Sequence, residues 1–484
     1  MNDISIGIKK VLFVFLLLFV VVISYVAYFE IYVAPKIVNN TDNKRLWAKR
    51  NEVLRGTIYD RNKVALTKSS RVNTLTQNRE YTGGAVFAHV LGYVNPNYGI
   101  TGLEAKYDQY LMGANDLSIS QYLQELIANK GSVKPEDKKG DDLITTLDSN
   151  VQKQAYNLLA NSGKRGAVVA LNPKTGEILA MVSAPSFDPN DSALTKEWKS
   201  INSDKNRPLL NRAVSGLYPP GSTFKTVTAI SALENIGGIM NQTFNDTGGL
   251  RFNSKYVLSN FDGEVLGNIS FKDAYVHSSN QVFGTLGLNL GNNKLKKTAE
   301  DFYFNKDIPS DGIVIDKSRF PTYASNEQGN IAQSAIGQSQ DLATPMQMAL
   351  IASTIANNGV MMKPHLVNSV ISSTGNTIMT YNPESIGTIT TPQVAATMKE
   401  FMRGVVTDGT GVNADISGLN VCGKTGTADH QDEGSNANPH SWFIGFAPME
   451  DPKIAVAVIV EDGGQGGIQA AKIASGVIKA SLLK

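Results

Sequence analysis

The chain has a single cysteine, Cys422, in 484 residues. No intramolecular disulfide can form, so the fold rests on packing, and Cys422 reads as a small core hydrophobe rather than a reactive thiol. It also has almost no charge imbalance: 45 basic against 43 acidic residues leave a net charge of +2. That excludes a polyanion-binding surface spread over the whole molecule, and nucleic acid is not an expected partner. Histidines number five, and His430 beside Asp429, Asp432 and Glu433 lacks the spacing of a zinc site. A solvated loop is expected there, with no metal and no cofactor. Internal repeats and low-complexity tracts are missing as well. A hydrophobic content of 42% supplies globular cores, and the length allows two to four domains.

What is present begins with an uninterrupted apolar stretch from Val11 to Phe29, long enough to cross a bilayer as one helix. Lys9 and Lys10 precede it and should stay cytoplasmic, which places everything after Glu30 outside. No small-x-small cleavage site follows, so the reading is a cytoplasmic tail over 1–10 and a retained single-pass anchor over 11–33, rather than a signal peptide. Tyr25, Tyr28, Phe29 and Tyr32 suit the membrane interface.

Beyond the anchor, Asn39 to Arg55 reads as a stalk or short helix, and Asp60, Arg61 and Asn62 as a turn between strands. Leu103, Tyr107 and Leu111 recur at helical spacing within Gly99 to Gly113, which predicts one short amphipathic helix. The charged run Lys134 to Asp142 reads as a solvated linker or hairpin. It divides a module over 34–140, of pedestal or dimerisation type, from a domain over 141–484. In that domain Gly166 to Leu171 and Ile178 to Val182 form a hairpin about N-P-K-T-G-E, and Ser441 to Ala447 and Lys453 to Val460 are strands. Thr223 to Leu233, Pro345 to Asn357 and Ile468 to Leu483 have helical period. The expected class is α+β, an antiparallel sheet flanked by helices.

Chemistry concentrates in three segments. In Y-P-P-G-S-T-F-K, Tyr218 to Lys225, turn formers lead into an apolar helix, so Ser222 sits at a helix start with Lys225 one turn along on the same face. A serine hydroxyl is a poor nucleophile until a base takes its proton. Apolar burial would lower the pKa of Lys225 and supply that base, and the helix N-terminus favours developing negative charge. In S-S-N, Ser278 to Asn280, a second hydroxyl could relay a proton and an amide could hold a carbonyl. In K-T-G-T, Lys424 to Thr427, an extended strand points Lys424 and Gly426 to one face and Thr425 and Thr427 to the other, although an edge strand at an active site commonly bulges. Lys424 would supply positive potential, the threonines would bind a carboxylate, and Gly426 would admit a ligand close to the backbone. The other K-T-G, Lys174 to Gly176, belongs to the hairpin turn, and Ser200 with Asn202 to a polar loop. G-G-Q-G-G at Gly463 to Gly467 reads as a flexible turn. Gly418 to Thr425 formally fits a nucleotide-binding P-loop, but no helix follows it.

The order S-x-x-K, S-x-N, K-T-G resembles the penicillin-binding transpeptidase and serine β-lactamase superfamily. R-G-T-I-Y-D-R-N from Arg55, G-L-E-A-K-Y-D, G-A-V-V-A-L-N-P-K-T-G-E-I-L-A-M-V-S, A-T-P-M-Q from Ala343 and W-F-I-G-F-A-P from Trp442 resemble segments of its class B members, the monofunctional cell-wall transpeptidases. The resemblance implies that Ser222 is acylated, Lys225 activates it, Ser278 shuttles a proton to the leaving amine and Asn280 holds the donor peptide. Lys424, Thr425 and Thr427 with Gly426 would secure the terminal carboxylate, and the backbone N–H groups of Ser222 and Thr427 would form the oxyanion hole. It further implies D-alanyl-D-alanine stem peptides as donors, an amine from a neighbouring stem as acceptor, β-lactams as inhibitors, a bacterial cell membrane and a membrane-embedded glycan polymerase as partner. A β-lactamase or a β-lactam sensor would share the acylation chemistry. A non-catalytic wall scaffold is the remaining alternative.

Overall fold

A computed structural model describes residues 2–33, 47, 50–73, 76–113, 138–252, 256–429 and 438–483. The N-terminal apolar run forms helix α1, Asn2–Tyr28, extended by a π-helical turn over Phe29–Val33. Gly7–Val33 is long and apolar enough to cross a membrane, and its apolar side chains do not pack on the rest of the protein. Most of the expected stalk lies outside the described residues.

The centre is a five-stranded antiparallel sheet of β1 (Gly166–Leu171), β2 (Ile178–Ala184), β3 (Cys422–Ala428), β4 (His440–Ala447) and β5 (Ile454–Val460), in the order β3-β4-β5-β1-β2. Its inner strands are apolar runs, β4 after His440 and Ser441, because both faces are covered; an open face would impose alternation with polar residues. Val168, Ala170, Phe443, Val456 and Val458 belong to one core, under α2 (Ser149–Asn161) and the last helix, Gln469–Leu482. Val169, Leu171, Ile444, Ala457 and Ile459 belong to the other. On that side lie α3 (Lys225–Asn235), α4 (Asn280–Asp301), α5 (Pro345–Ala356), which packs on the sheet, and α6 (Pro392–Thr407). Thr344 caps α5 by accepting from Gln347 N at 3.1 Å, Pro345 fills its first turn, and all twelve of its residues are buried. The last helix is α7.

Three expectations are corrected. Gly99 to Gly113 forms two short helices, Gly102–Lys106 and Asp108–Leu111, because Tyr107 leaves the helical region at φ −112° while its hydroxyl donates to Asp311 Oδ2 at 2.9 Å. Leu103, Tyr107 and Leu111 are nonetheless all buried. The described end of the charged run is solvated only in part: Lys138 and Lys139 are exposed, but Leu54 N donates to Lys138 O, Gly140 N to Leu54 O, and Asp141 is buried. There Asp142–Thr145 opens a strand that pairs in parallel with Ile58–Tyr59 and antiparallel with Val367–Ile371, a sheet made from segments distant in sequence. Ser200 and Asn202 lie in a helix, Asp191–Ser203, not a loop, because Leu194, Trp198 and Ile201 give it an inward stripe. The remaining K-T-G is the β1–β2 turn as expected, with Gly176 at φ +79° donating to Asn172 O.

Inside the N-terminal module, Glu104 is fully buried between Arg55 and Arg79, at 2.6 and 2.7 Å. Burial works to raise its pKa, but the two guanidinium groups outweigh that and hold it below the usual carboxylate range. Glu104→Ala takes from the buried Arg79 its carboxylate partner and leaves the buried Arg55 with Asp108 alone, and is expected to cost about 3–5 kcal/mol in urea unfolding at neutral pH. The wild-type advantage is present above the ordinary carboxylate pKa and is lost as pH falls through the lowered folded value.

Candidate active site

The S-x-x-K segment is fixed from both sides. Tyr218 exchanges backbone hydrogen bonds with Ala343, and its hydroxyl donates to Glu461 Oε1 at 2.8 Å. Trp442 Nε1 donates to Pro219 O at 3.0 Å. Gly221 then takes φ +53°, and a Cβ there would lie 2.7 Å from Thr427 O, so only glycine lets this turn lie on the end of β3. Ser222 falls in a 3₁₀ turn, Gly221–Phe224, and the α-helix proper begins at Lys225 rather than Thr223. Thr223 donates to Pro220 O at 2.6 Å, and Phe224 stacks on Phe320. Ser222 is half-buried, and its hydroxyl makes no hydrogen bond among the described residues.

The spacing placed Lys225 within reach of Ser222, yet the structure turns its amine toward the S-S-N segment. Lys225 Nζ lies 2.6 Å from Ser278 O, 3.1 Å from Ser278 Oγ and 2.7 Å from Asn280 Oδ1. Three acceptors suit an ammonium, but Lys225 is fully buried, Phe283 lies beneath it, and Lys424 shares one of those partners. Burial first, and the like charge of Lys424 second, push its pKa well below that of a free lysine; Asp246 opposes them. Desolvation wins, because a buried charge loses more in leaving water than a few dipoles return.

K-T-G-T closes the third side. β3 pairs with β4 without a register break from Cys422↔Phe446 to Ala428↔His440, so the bulge considered for this edge strand is absent. Alternation therefore holds. Lys424 faces inward with Nζ 2.9 Å from Ser278 Oγ and 3.1 Å from Thr425 O, its pKa lowered by burial to about 7. Thr425 and Thr427 face away from it: Thr425 Oγ1 meets Thr410 Oγ1, and Thr427 Oγ1 accepts from Gly466 N at 3.3 Å. A Cβ on Gly426 would lie 3.0 Å from Pro220 O and 3.0 Å from Thr223 Cγ2. The neighbour that requires glycine here is the Ser222 turn rather than a ligand.

All eight singled-out residues thus meet where α3, α4 and β3 converge, and Ser278 Oγ sits between two lysine amines. The G-G-Q-G-G segment is not a loose turn. A Cβ on Gly466 would lie 2.1 Å from Gly426 O, and one on Gly467 2.3 Å from Thr410 O, so it packs along β3. His430, Asp432 and Glu433 lie outside the described residues. Among the described residues no cluster of three metal-ligating side chains occurs. The sequence reading missed Asp246, Asn260 and Thr410, which line the back of the site; no local pattern marks them.

A hydroxyl at the head of a helix, with a depressed buried amine one turn on and a second hydroxyl between two amines, defines a serine acyl-transfer site. The model of the penicillin-binding protein transpeptidase domain matches residues 166–479, and that of the penicillin-binding protein A dimerisation domain matches 55–133. This chain belongs to the penicillin-binding transpeptidase family. It is 34% identical to the peptidoglycan D,D-transpeptidase PbpA of Mycolicibacterium smegmatis, over 98% of this chain and 99% of that one. Penicillin-binding protein A from Mycobacterium tuberculosis, solved as an acyl-enzyme complex with ceftriaxone, superposes with TM-score 0.82 at 31% identity, covering 90% of this chain and 100% of that one. The D,D-transpeptidase domain of an Eggerthella lenta peptidoglycan glycosyltransferase gives 0.78 at 33% identity, covering 89% and 98%.

Proposed function

We propose that this chain is a peptidoglycan D,D-transpeptidase that crosslinks stem peptides through an acyl-enzyme on Ser222 and is acylated there by β-lactams. The observation that carries the reading is Ser278 Oγ between Lys225 Nζ and Lys424 Nζ, at 3.1 and 2.9 Å, with the Ser222 turn against the end of β3. Ser222 Oγ attacks the carbonyl of the penultimate D-alanine while the neutral Lys225 amine takes its proton. The backbone N–H groups of Ser222 and Thr427 receive the oxyanion. As the tetrahedral carbon collapses, Ser278 hands a proton to the departing D-alanine amine and is resupplied by the protonated Lys225. An amine from a neighbouring stem then attacks the ester, and the same groups run in reverse. Asn280 holds the donor peptide, while Thr425 and Thr427 hold its terminal carboxylate and Lys424, on the opposite face of β3, adds positive potential, with Gly426 bringing strand and nucleophile together.

The domain over 141–484 performs this chemistry, and the module over 34–140 raises it above the membrane. Lys9 and Lys10, within α1 just before its apolar run, support a cytoplasmic N-terminus and an extracytoplasmic catalytic domain, in a bacterial cell membrane. A membrane-embedded glycan polymerase would supply the nascent strand. The test is mass spectrometry of the protein after incubation with a labelled penicillin. The expected result is an adduct on the peptide containing Ser222 that outlasts many minutes. Turnover within seconds would make the chain a β-lactamase, and an adduct elsewhere would overturn the assignment of the nucleophile.

A further inference from the structure

Behind the S-S-N segment stands a carboxylate that the chemistry above does not use. Asp246, at the end of strand Thr243–Asp246, is completely buried. It accepts from Ser279 Oγ, from Asn260 Nδ2 at 2.8 and 2.9 Å, and from Gly248 N at 2.8 Å. Both neutral partners pass the restraint to the active site. Ser279, between Ser278 and Asn280, also caps α4 by accepting from Val282 N at 3.0 Å. Asn260, its amide oriented by Asp246, presents Oδ1 to the backbone N–H groups of Asn280 and Gln281 at 2.8 and 3.0 Å. Asn280 in turn donates Nδ2 to Ser259 O at 2.8 Å, which leaves its Oδ1 facing Lys225.

The restraint has something to hold. Ser278 adopts φ +61°, a left-handed conformation that strains a non-glycine residue and persists only where its surroundings over-determine it. That conformation aims both Ser278 O and Ser278 Oγ at Lys225 Nζ. We propose that Asp246 is a positioning residue, whose buried carboxylate locks Ser279 and Asn260 so that Ser278 and Asn280 are held in the geometry that receives the Lys225 amine. The inference rests on the transpeptidase reading. It makes the middle serine of S-S-N the anchor of the motif.

Asparagine at 246 would offer one acceptor where the carboxylate offers two, and would turn an N–H toward groups that already donate. The charge matters too. The charged and titratable groups around Lys225 are Lys424 on β3, Asp246, and Tyr275, which bonds Thr226 and lies beneath Lys424. Asp246 is the one that favours the ammonium form, so removing its charge lowers the Lys225 pKa further.

The experiment measures the second-order rate of penicillin acylation against pH in the full chain, for wild type, Asp246→Asn and Ser279→Ala, with thermal melting as the check of folding. In D246N the maximal rate is expected to fall roughly tenfold or more, as a displaced catalytic group commonly costs, and the acid limb to move to lower pH. In S279A the rate falls and the limb stays, because the charge remains. A folded D246N with an unmoved acid limb, or with the wild-type maximal rate, overturns the proposal. If D246N does not fold, S279A decides, and a wild-type rate there overturns it. A wild type that penicillin does not acylate at Ser222 would instead defeat the transpeptidase reading itself.

Discussion

Ser222→Ala is expected to form no penicillin adduct and to lose peptide crosslinking by about 10⁴-fold or more, since removing a covalent nucleophile leaves only binding and oxyanion stabilisation. The fold should not register the change. The Ser222 hydroxyl makes no hydrogen bond among the described residues, and the turn is held instead by Trp442 on Pro219 O, Thr223 on Pro220 O and the Phe224 stack. Thermal melting should therefore stay within about 1 kcal/mol of wild type. The pairing of those results matters, because an unfolded variant would also be inactive. Crosslinking at the wild-type rate by a folded S222A would remove Ser222 from the role of nucleophile.

Lys225→Ala should slow acylation by about 10²–10⁴-fold, the usual worth of a positioned general base. Its dependence on pH carries the sharper signature. Burial and Lys424 depress the Lys225 pKa, so the competent neutral amine gains population as pH rises, and the wild-type second-order rate has an acid limb. Lys424 works in the opposite sense. Its charge draws the substrate carboxylate and is lost above about pH 7, which gives an alkaline limb and a bell-shaped profile. Lys424→Arg keeps a charge that does not titrate in this range, so the alkaline limb should disappear while the acid limb remains. Stopped-flow acylation across pH separates the two. An alkaline limb unchanged in Lys424→Arg would remove Lys424 from that role.

Much of this was legible in the chain because it is local. The runs that became β1 and β5 are apolar through their length, and those of β2 and β4 are so but for Ser183, His440 and Ser441, a pattern that both-face burial imposes wherever it occurs. Thr344 before Pro345 announces the start of α5, and Pro219, Pro220 and Gly221 announce the turn that carries Ser222. What was not legible depends on neighbours far away in sequence. The break at Tyr107 coincides with an anchor on Asp311, and the first strand of the module pairs with Leu143 and Ile144, which no window around Ile58 contains. Gly466 was read as loose because the need for glycine arises from Gly426 O, forty residues earlier in the chain.

The sequence by itself determined which groups could do the chemistry: a serine and a lysine one turn apart, a second hydroxyl beside an amide, and a lysine on a strand. Side-chain type and local period are properties of adjacent residues, so they can be read without coordinates. Only the tertiary structure decided the direction of the amines, the sharing of Ser278 Oγ between Lys225 and Lys424, and the buried support from Asp246. Those follow from which surfaces meet when α3, α4 and β3 pack together, and burial there, not spacing, sets the charge on each lysine.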